Sequence, residues 1–364
     1  MSLAHHRCDH RRRRDTTLPQ LPTLTSDTMT LHSHLRPLRR AMLGALFVAA
    51  PLGAQMPASH GGHAAPAPAS PVARAAETLP APDGRRVVGT VVIAHGGGPV
   101  WDAKVESTAA TARTGGPVAV IFLMGPGAKT HAFQDAVRSV VAQGATEVTV
   151  VPLLVSSHSG HYDQIRWLAG ELDTLSATMM HHLQMSGITR ADVRVPIRVA
   201  PAIDDAPEVA RVLADRATAL VPNASARAGR ALFLLGHGPN SAEDYAAWMD
   251  NLRRVADSVK ARTGFRSVLV ELVRDDAPPA VRAEAVTRAR ELIGLQHELT
   301  RADVVVLPIL ISSGEVSGRK FPADLTGLPV VYAGDPLLPH ESMARWIESR
   351  VRGAAASTSA AALP

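Results

Sequence analysis

The chain has 364 residues, 46% of them hydrophobic and only 4% aromatic, with a formal net charge of +5. That length accommodates two domains with aliphatic cores, plus tails. Residues 1–54 hold eight arginines, no lysine and three aspartates, so residues 55–364 sum to zero and the basic balance gives no ground for a nucleic-acid partner.

The first feature in chain order is an address. "RPLRR" (36–40) precedes the short apolar run "AMLGALFVAAPLGA" (41–54), broken at Pro51 and closed by the small residues Gly53 and Ala54 before Gln55. This is the pattern of a secretory signal over about 29–54, cleaved near Ala54–Gln55, and it is too short for a comfortable span. Met29 offers an alternative start, which would place 1–28 outside the protein. The expectation is a periplasmic or secreted protein with no stable membrane anchor after cleavage. The only cysteine, Cys8, precedes that signal. The cleaved chain therefore needs no disulfide and has neither a thiolate metal site nor a cysteine nucleophile.

Residues 55–86 form a Pro/Ala linker, in which His60 and His63 read as polar spacing. Two copies of one plan follow. "VVGTVVIAHGGG" (87–98) matches "GRALFLLGHGPN" (229–240), each an apolar strand running into His-Gly. Second strands "VAVIFLM" (118–124) and "RSVLVEL" (266–272) come next, then amphipathic helices. "EVTVVPLLVSS" (147–157) and "ADVVVLPILISS" (302–313) are the third strands, with "VPIRVAPAID" and "LPVVYAGDP" as the fourth. The His-Gly pairs lie 142 residues apart and the strand-three prolines 156 apart, so modest insertions separate the copies. Apolar strands alternating with helices predict an α/β chain of two tandem doubly wound domains, each on a four-stranded parallel sheet. Expected boundaries are 87–222 and 226–352, with a hinge in 222–229 and a disordered tail over 353–364. Two copies make a pseudo-dimer, so a monomer is expected.

Ligands of such sheets bind beyond the carboxyl ends of the strands. His95 and His237 follow the first strand of their copies, and His158 and His161 follow the third strand of copy one. Imidazoles there can ligate a divalent ion or take protons near neutral pH, and strand-end histidines can also be plain loop residues. The glycines of "HGGG" allow close backbone approach to a bulky ligand.

His-Gly after strand one, with "VPLLVSSHSGH" after strand three, resembles the class II tetrapyrrole metal chelatases, the fold family of sirohydrochlorin cobaltochelatase and, more distantly, ferrochelatase. The resemblance covers about 87–352 and includes the two-copy layout and the endings "RVAPAID" and "VVYAGDPLLPHESMARWI". It implies a cleft between the copies that takes a tetrapyrrole and a divalent metal as substrates, Co²⁺ foremost and Ni²⁺ or Fe²⁺ as alternatives. It further implies metal ligation and proton removal by His95 and His161, with His158 as the alternative ligand and no ATP. Glu315, in the matching loop of copy two, is the candidate assisting acid. Gly96, Gly97, Ser157 and His237 are the candidate macrocycle contacts. The family's usual serine after His-Gly is replaced here by "HGGG" and "HGPN", and Ser317 stands where His161 would align in copy two. A periplasmic carrier of metal or tetrapyrrole on the same fold is the alternative to an enzyme.

Other signals carry less. "MMHHLQM" (179–185) reads as a helix end with packing methionines, although His181 and Met185 share a face. "MGPGAKTH" (124–131) lacks the order of a phosphate loop, so no nucleotide is expected, and His131 reads as a loop residue. Ser156 and Ser157 beside His158 lack a nucleophile elbow. Asp204-Asp205 and Asp275-Asp276 read as turn or helix-start residues.

Overall fold

A computed structural model describes residues 86–130 and 132–361. The expected signal region, nearly all of the linker and His131 lie outside the described residues. Among those described, no helix is long and apolar enough to cross a membrane.

The first half runs β1 (Val88–Ala94), α1 (Pro99–Thr111), β2 (Val118–Phe122), a 3₁₀ turn, α2 (Phe133–Ala142), β3 (Glu147–Leu153), α3 (Gly160–Leu168), α4 (Ala177–Ser186), β4 (Ile197–Val199) and α5 (Pro207–Leu220). A short helix, α6 (Ala224–Ala228), leads into the second half. That half comprises β5 (Ala231–Gly236), α7 (Ala242–Thr263), β6 (Ser267–Leu272), α8 (Pro279–Thr300), β7 (Val304–Ile309), a π turn at Val316–Lys320, α9 (Phe321–Asp324), β8 (Val330–Tyr332) and α10 (Glu341–Ala361). The strands form two parallel four-stranded sheets, ordered β2-β1-β3-β4 and β6-β5-β7-β8. Both sheets lie in one compact unit.

Strand composition explains this arrangement. Every residue of β3, β5 and β7 is buried, as expected for central strands covered on both faces. Pro152 and Pro308 are tolerated in central strands because β4 pairs only with Val148–Val150 and β8 only with Val304–Val306. Each proline thus lies beyond its short neighbour, where no ladder bond is lost. The register sets Ala94 beside Leu153, so the segments leaving β1 and β3 emerge together.

Side chains alternate between layers with the period of a strand. Val91 and Ile93 join the outer cluster under α2, α3 and α4, while Val92 and Ala94 join a central one. The central cluster is common to both halves. It is closed by an exchange: α5 packs on α7 and touches β7, whereas α10 lies over β1 and β3. Arg350 of α10 donates to the carbonyls of Ala202 (2.8 Å) and Ile203 (3.2 Å) in the first half. A third cluster lies on the outer side of the second sheet, beneath α8 and α9.

The stretches expected to be a hinge and a disordered tail both carry helix. The stretch expected to be a hinge is fastened: Asn223 caps α6 through Ala226 N, and Arg227 donates to the carbonyls of Val221, Pro222 and Thr263 at 2.7–2.8 Å. The stretch expected to be disordered from 353 continues α10 to Ala361, consistent with the high helix propensity of its alanines.

Candidate functional site: histidines at the strand ends

His95 leaves β1 directly into the glycine-rich loop, which folds back on the end of β2. Met124 N donates to His95 O at 2.8 Å. Gly96 has φ +92°, and a Cβ there would stand 2.2 Å from Met124 O. Gly97 lies under the Trp101 ring, 2.7 Å from where its Cβ would be, and donates to the buried Asp102 carboxylate at 2.9 Å. The glycines do permit close approach, but of Met124 and Trp101. In the fold, the space that a Cβ would need at Gly96 and Gly97 is taken by Met124 O and the Trp101 ring.

His161 stands in the first turn of α3, whose N-cap Ser159 accepts from Tyr162 N at 3.2 Å. Its ring meets that of His95 edge to face, centroids 4.8 Å apart at 80°. An imidazole nitrogen about 2.1 Å from a metal puts its ring centre roughly 3.2 Å away, so rings sharing one ion at right or tetrahedral angles stand roughly 4.5–5.3 Å apart. The observed spacing falls within that interval.

Hydrogen bonds fix which nitrogens are available. Gln164, fully buried, donates its amide to Met179 O at 2.7 Å. Its Oε1 therefore faces His161 Nδ1 at 2.7 Å, which must carry the proton. His95 Nδ1 lies 2.8 Å from the Gly96 carbonyl, with the same consequence. Both rings thus keep a lone pair on Nε2, the arrangement in which an acceptor behind a histidine orients it as a ligand. Burial, reinforced by His95 and also by His182 and His237, lowers His161 to about 4 against the opposing Gln164 bond. His161 is neutral at physiological pH.

Two further histidines face this pair. His182, on α4, stacks on His161 with centroids 6.3 Å apart at 29°. His237 follows β5 and sets its ring edge on Trp248 at 6.0 Å. Burial depresses His237, with Asp276 and Asp275 opposing and His95 adding to the depression. Trp248 also donates from Nε1 to His158 O at 2.6 Å, joining the halves at the site. On the opposite side Lys104 of α1 reaches Ser313 in the loop after β7.

Other expected residues are placed differently. His158 is exposed, and its backbone is held by Ser156 Oγ and by Trp248, so His161 and not His158 pairs with His95. Ser157 does not present a free hydroxyl: it donates to Asp204 at 2.7 Å and accepts from Ala202 N at 2.9 Å. Asp204, in a left-handed turn at φ 51°, locks the loop after β3. Glu315 is exposed and ion-paired with Arg319 one helical turn on. Ser317 is buried and bonds to Gly314.

Gln164 and His182 belong to the cluster but not to the residues expected from sequence. Gln164 stands three residues after His161 in a helix start, a spacing that puts the two on one face. For His182 the sequence offered only a pair of adjacent histidines. Among the described residues, no three His, Cys, Asp or Glu side chains are set to hold one ion together. Two cavities, of about 410 and 700 Å³, lie elsewhere, against Arg198 and Arg350 and against Arg113 and His340.

Residues 89–220 match the family model described as CbiX. No curated protein is significantly similar to the chain in sequence. SirB from Bacillus subtilis with Fe³⁺ is 17% identical at a TM-score of 0.48, the match covering 75% of this chain and 98% of that one. CbiX, titled the terminal enzyme for biosynthesis of siroheme in denitrifying bacteria, is 16% identical at 0.45, covering 74% and 99%. A multi-domain protein from Deinococcus radiodurans with structural similarity to chelatases is 18% identical at 0.45, covering 73% and 55%.

Proposed function

We propose, from the premise that residues 89–220 form a domain similar to the CbiX family, that this chain is an ATP-independent metal chelatase acting on a sirohydrochlorin-like tetrapyrrole. The observation that supports it most is the His95–His161 pair, 4.8 Å apart with both Nε2 lone pairs unengaged. The pair stands where the carboxyl ends of β1 and β3 meet, the ligand position of such sheets.

The roles divide. A ring with its pKa lowered to about 4 is a ligand across the physiological range and a weak proton acceptor, so His161 holds the incoming ion. His95, exposed beside it, takes the pyrrole protons and passes them to solvent. Trp101 flanks the first strand-one loop, and His237, backed by the buried Trp248, stands at the second, as walls for a flat macrocycle. Cobalt is the first candidate ion, with nickel and iron suited to imidazole as well. We infer an exported protein, on the signal pattern of residues 29–54, and a monomer, since the two copies already make a pseudo-dimer.

A non-catalytic carrier of metal or tetrapyrrole is the second reading. It is favoured by the state of Glu315, the expected acid, whose carboxylate is engaged by Arg319.

Absorption of sirohydrochlorin mixed with Co²⁺ and the chain tests both. Turnover above the uncatalysed rate is expected, falling about 100-fold or more in a His95→Ala/His161→Ala variant. A spectrum that shifts and saturates at one equivalent, with no gain in rate, would replace the chelatase with the carrier.

A further inference from the structure

His95 owes its open Nε2 to a peptide group, and that peptide is held by a residue with no part in the roles just assigned. His95 Nδ1 donates to the Gly96 carbonyl at 2.8 Å. The N–H of the same peptide unit belongs to Gly97 and donates to Asp102 Oδ1 at 2.9 Å. In a planar trans peptide the C=O and N–H point in opposite directions, so the two bonds are made at opposite ends of one rigid group. Turning that group over would break both. It would also set an N–H on the side of His95 Nδ1, which would then have to accept, and the ring proton would pass to Nε2. A peptide between two glycines has no Cβ on either side to resist that turn.

The surroundings of Asp102 are built to prevent it. The side chain is buried and stands in the first turn of α1, where the helix dipole favours a carboxylate. Its backbone is fixed by the bond from Asp102 N to Gly98 O at 2.8 Å. The second oxygen, Oδ2, fills space left by Gly127 in the 3₁₀ turn after β2, where a Cβ would stand 2.8 Å from it. A carboxylate accepts about twice as strongly as a neutral group, and hydrogen bonds in a chain polarise one another.

We propose that Asp102 is a positioning residue for His95, acting through the Gly96–Gly97 peptide. Its carboxylate holds that peptide in the orientation that keeps the ring proton on Nδ1 and leaves the Nε2 lone pair open to substrate. The inference rests on the reading of His95 as the group that takes the pyrrole protons, and it adds what selects the nitrogen that does so.

The test is the tautomer of each ring, read from the ¹⁵N shifts of labelled histidines in the full chain without metal, at alkaline pH where imidazoles are neutral. His95 and His161 are assigned by their Gln variants. Both should carry the proton on Nδ1 in the wild type. In Asp102→Ala, His95 should populate the Nε2–H form, whereas His161, held by Gln164, should keep its own and so report that the fold is intact. The kcat for Co²⁺ insertion into sirohydrochlorin should fall at least about tenfold, the scale on which groups behind a working histidine act, with KM little changed. Asp102→Asn keeps the shape and a neutral acceptor, and should shift the tautomer and kcat in the same direction by less. A His95 tautomer unchanged in every variant that keeps the His161 signal would overturn the inference, as would an Nε2–H ring in the wild type. A changed tautomer with insertion unaffected would keep Asp102 as the group that sets the ring and remove His95 from the chemistry.

Discussion

The two halves share one topology and differ in what stands at the strand ends. In the first half the loop after β3 starts a helix with His161, whose ring closes on His95. In the second half the equivalent loop contains Ser317, buried and bonded to its own turn, and opens into a π turn. Charge pairs take the place of histidines there: Asp275, almost fully enclosed, is held by Lys320 at 2.6 Å and Arg282 at 3.1 Å, and Arg282 also binds Asp324. Burial pushes the Asp275 carboxyl up, but these two cations outweigh it and keep it below its ordinary value. A duplicated fold can thus keep reactive groups in one copy while the other fixes its loops with ion pairs and contributes Trp248 and His237.

Removing the lock of the second half tests that division most forcefully. Asp275→Ala removes the carboxylate that Lys320 and Arg282 share, and because both cations keep access to water it should cost about 1–3 kcal/mol, read by urea denaturation. A loss under 1 kcal/mol would mean the ion pairs are incidental.

The first half has its own signature in acid. In the metal-free protein above pH 6.5, His161 is neutral in both folded and unfolded chains. As pH falls toward about 4 the unfolded chain takes up a proton first, so stability is lost through that window, by on the order of 3 kcal/mol. His161→Gln should flatten the slope of stability between pH 6.5 and 4, and an unchanged slope would place the titration elsewhere.

Ser317→His asks whether the second half can be returned to the pattern of the first. The site is enclosed, so the larger ring should overpack it and cost roughly 1–3 kcal/mol without adding a Co²⁺ equivalent in equilibrium dialysis. A second equivalent would show that only one residue separates the halves.

Glu315→Gln should do least. An exposed pair with Arg319 contributes at most about 1 kcal/mol, and the chelation rate should stay within a factor of two or so of wild type, as expected for a surface change. A large fall in rate with stability preserved would restore Glu315 as the assisting acid.

The sequence made the duplicated plan legible because alternating apolar strands and helices repeat with their end signals in the same order. It also pointed to His95, since a histidine directly after a strand of a parallel sheet emerges at the ligand end; between His158 and His161 the residues left the choice open, and only the family resemblance favoured His161. His182 was hidden for a physical reason. His181 and His182 differ by about 100° around a helix, and which of them turns inward depends on how α4 sits against α3, a tertiary matter. Ser157 misled in the opposite way: its partner Asp204 is 47 residues distant, so a hydroxyl that looked free is committed. The glycines were read as letting a ligand approach, and the atoms that come close to them in the fold are those of Met124 and Trp101, which composition cannot foresee.

The exchange of α5 and α10 also governs the order in which the molecule can be completed. The inner face of the first sheet, made by β1 and β3 early in the chain, is covered by a helix that begins only at Glu341. A nascent first half therefore carries Val92, Val151 and Leu153 with their final cover not yet synthesised. Contacts of such long sequence separation close late and slowly. Docking of α10 then gives the first sheet its last cover, whereas α5 can settle on α7 and β7 before that helix exists.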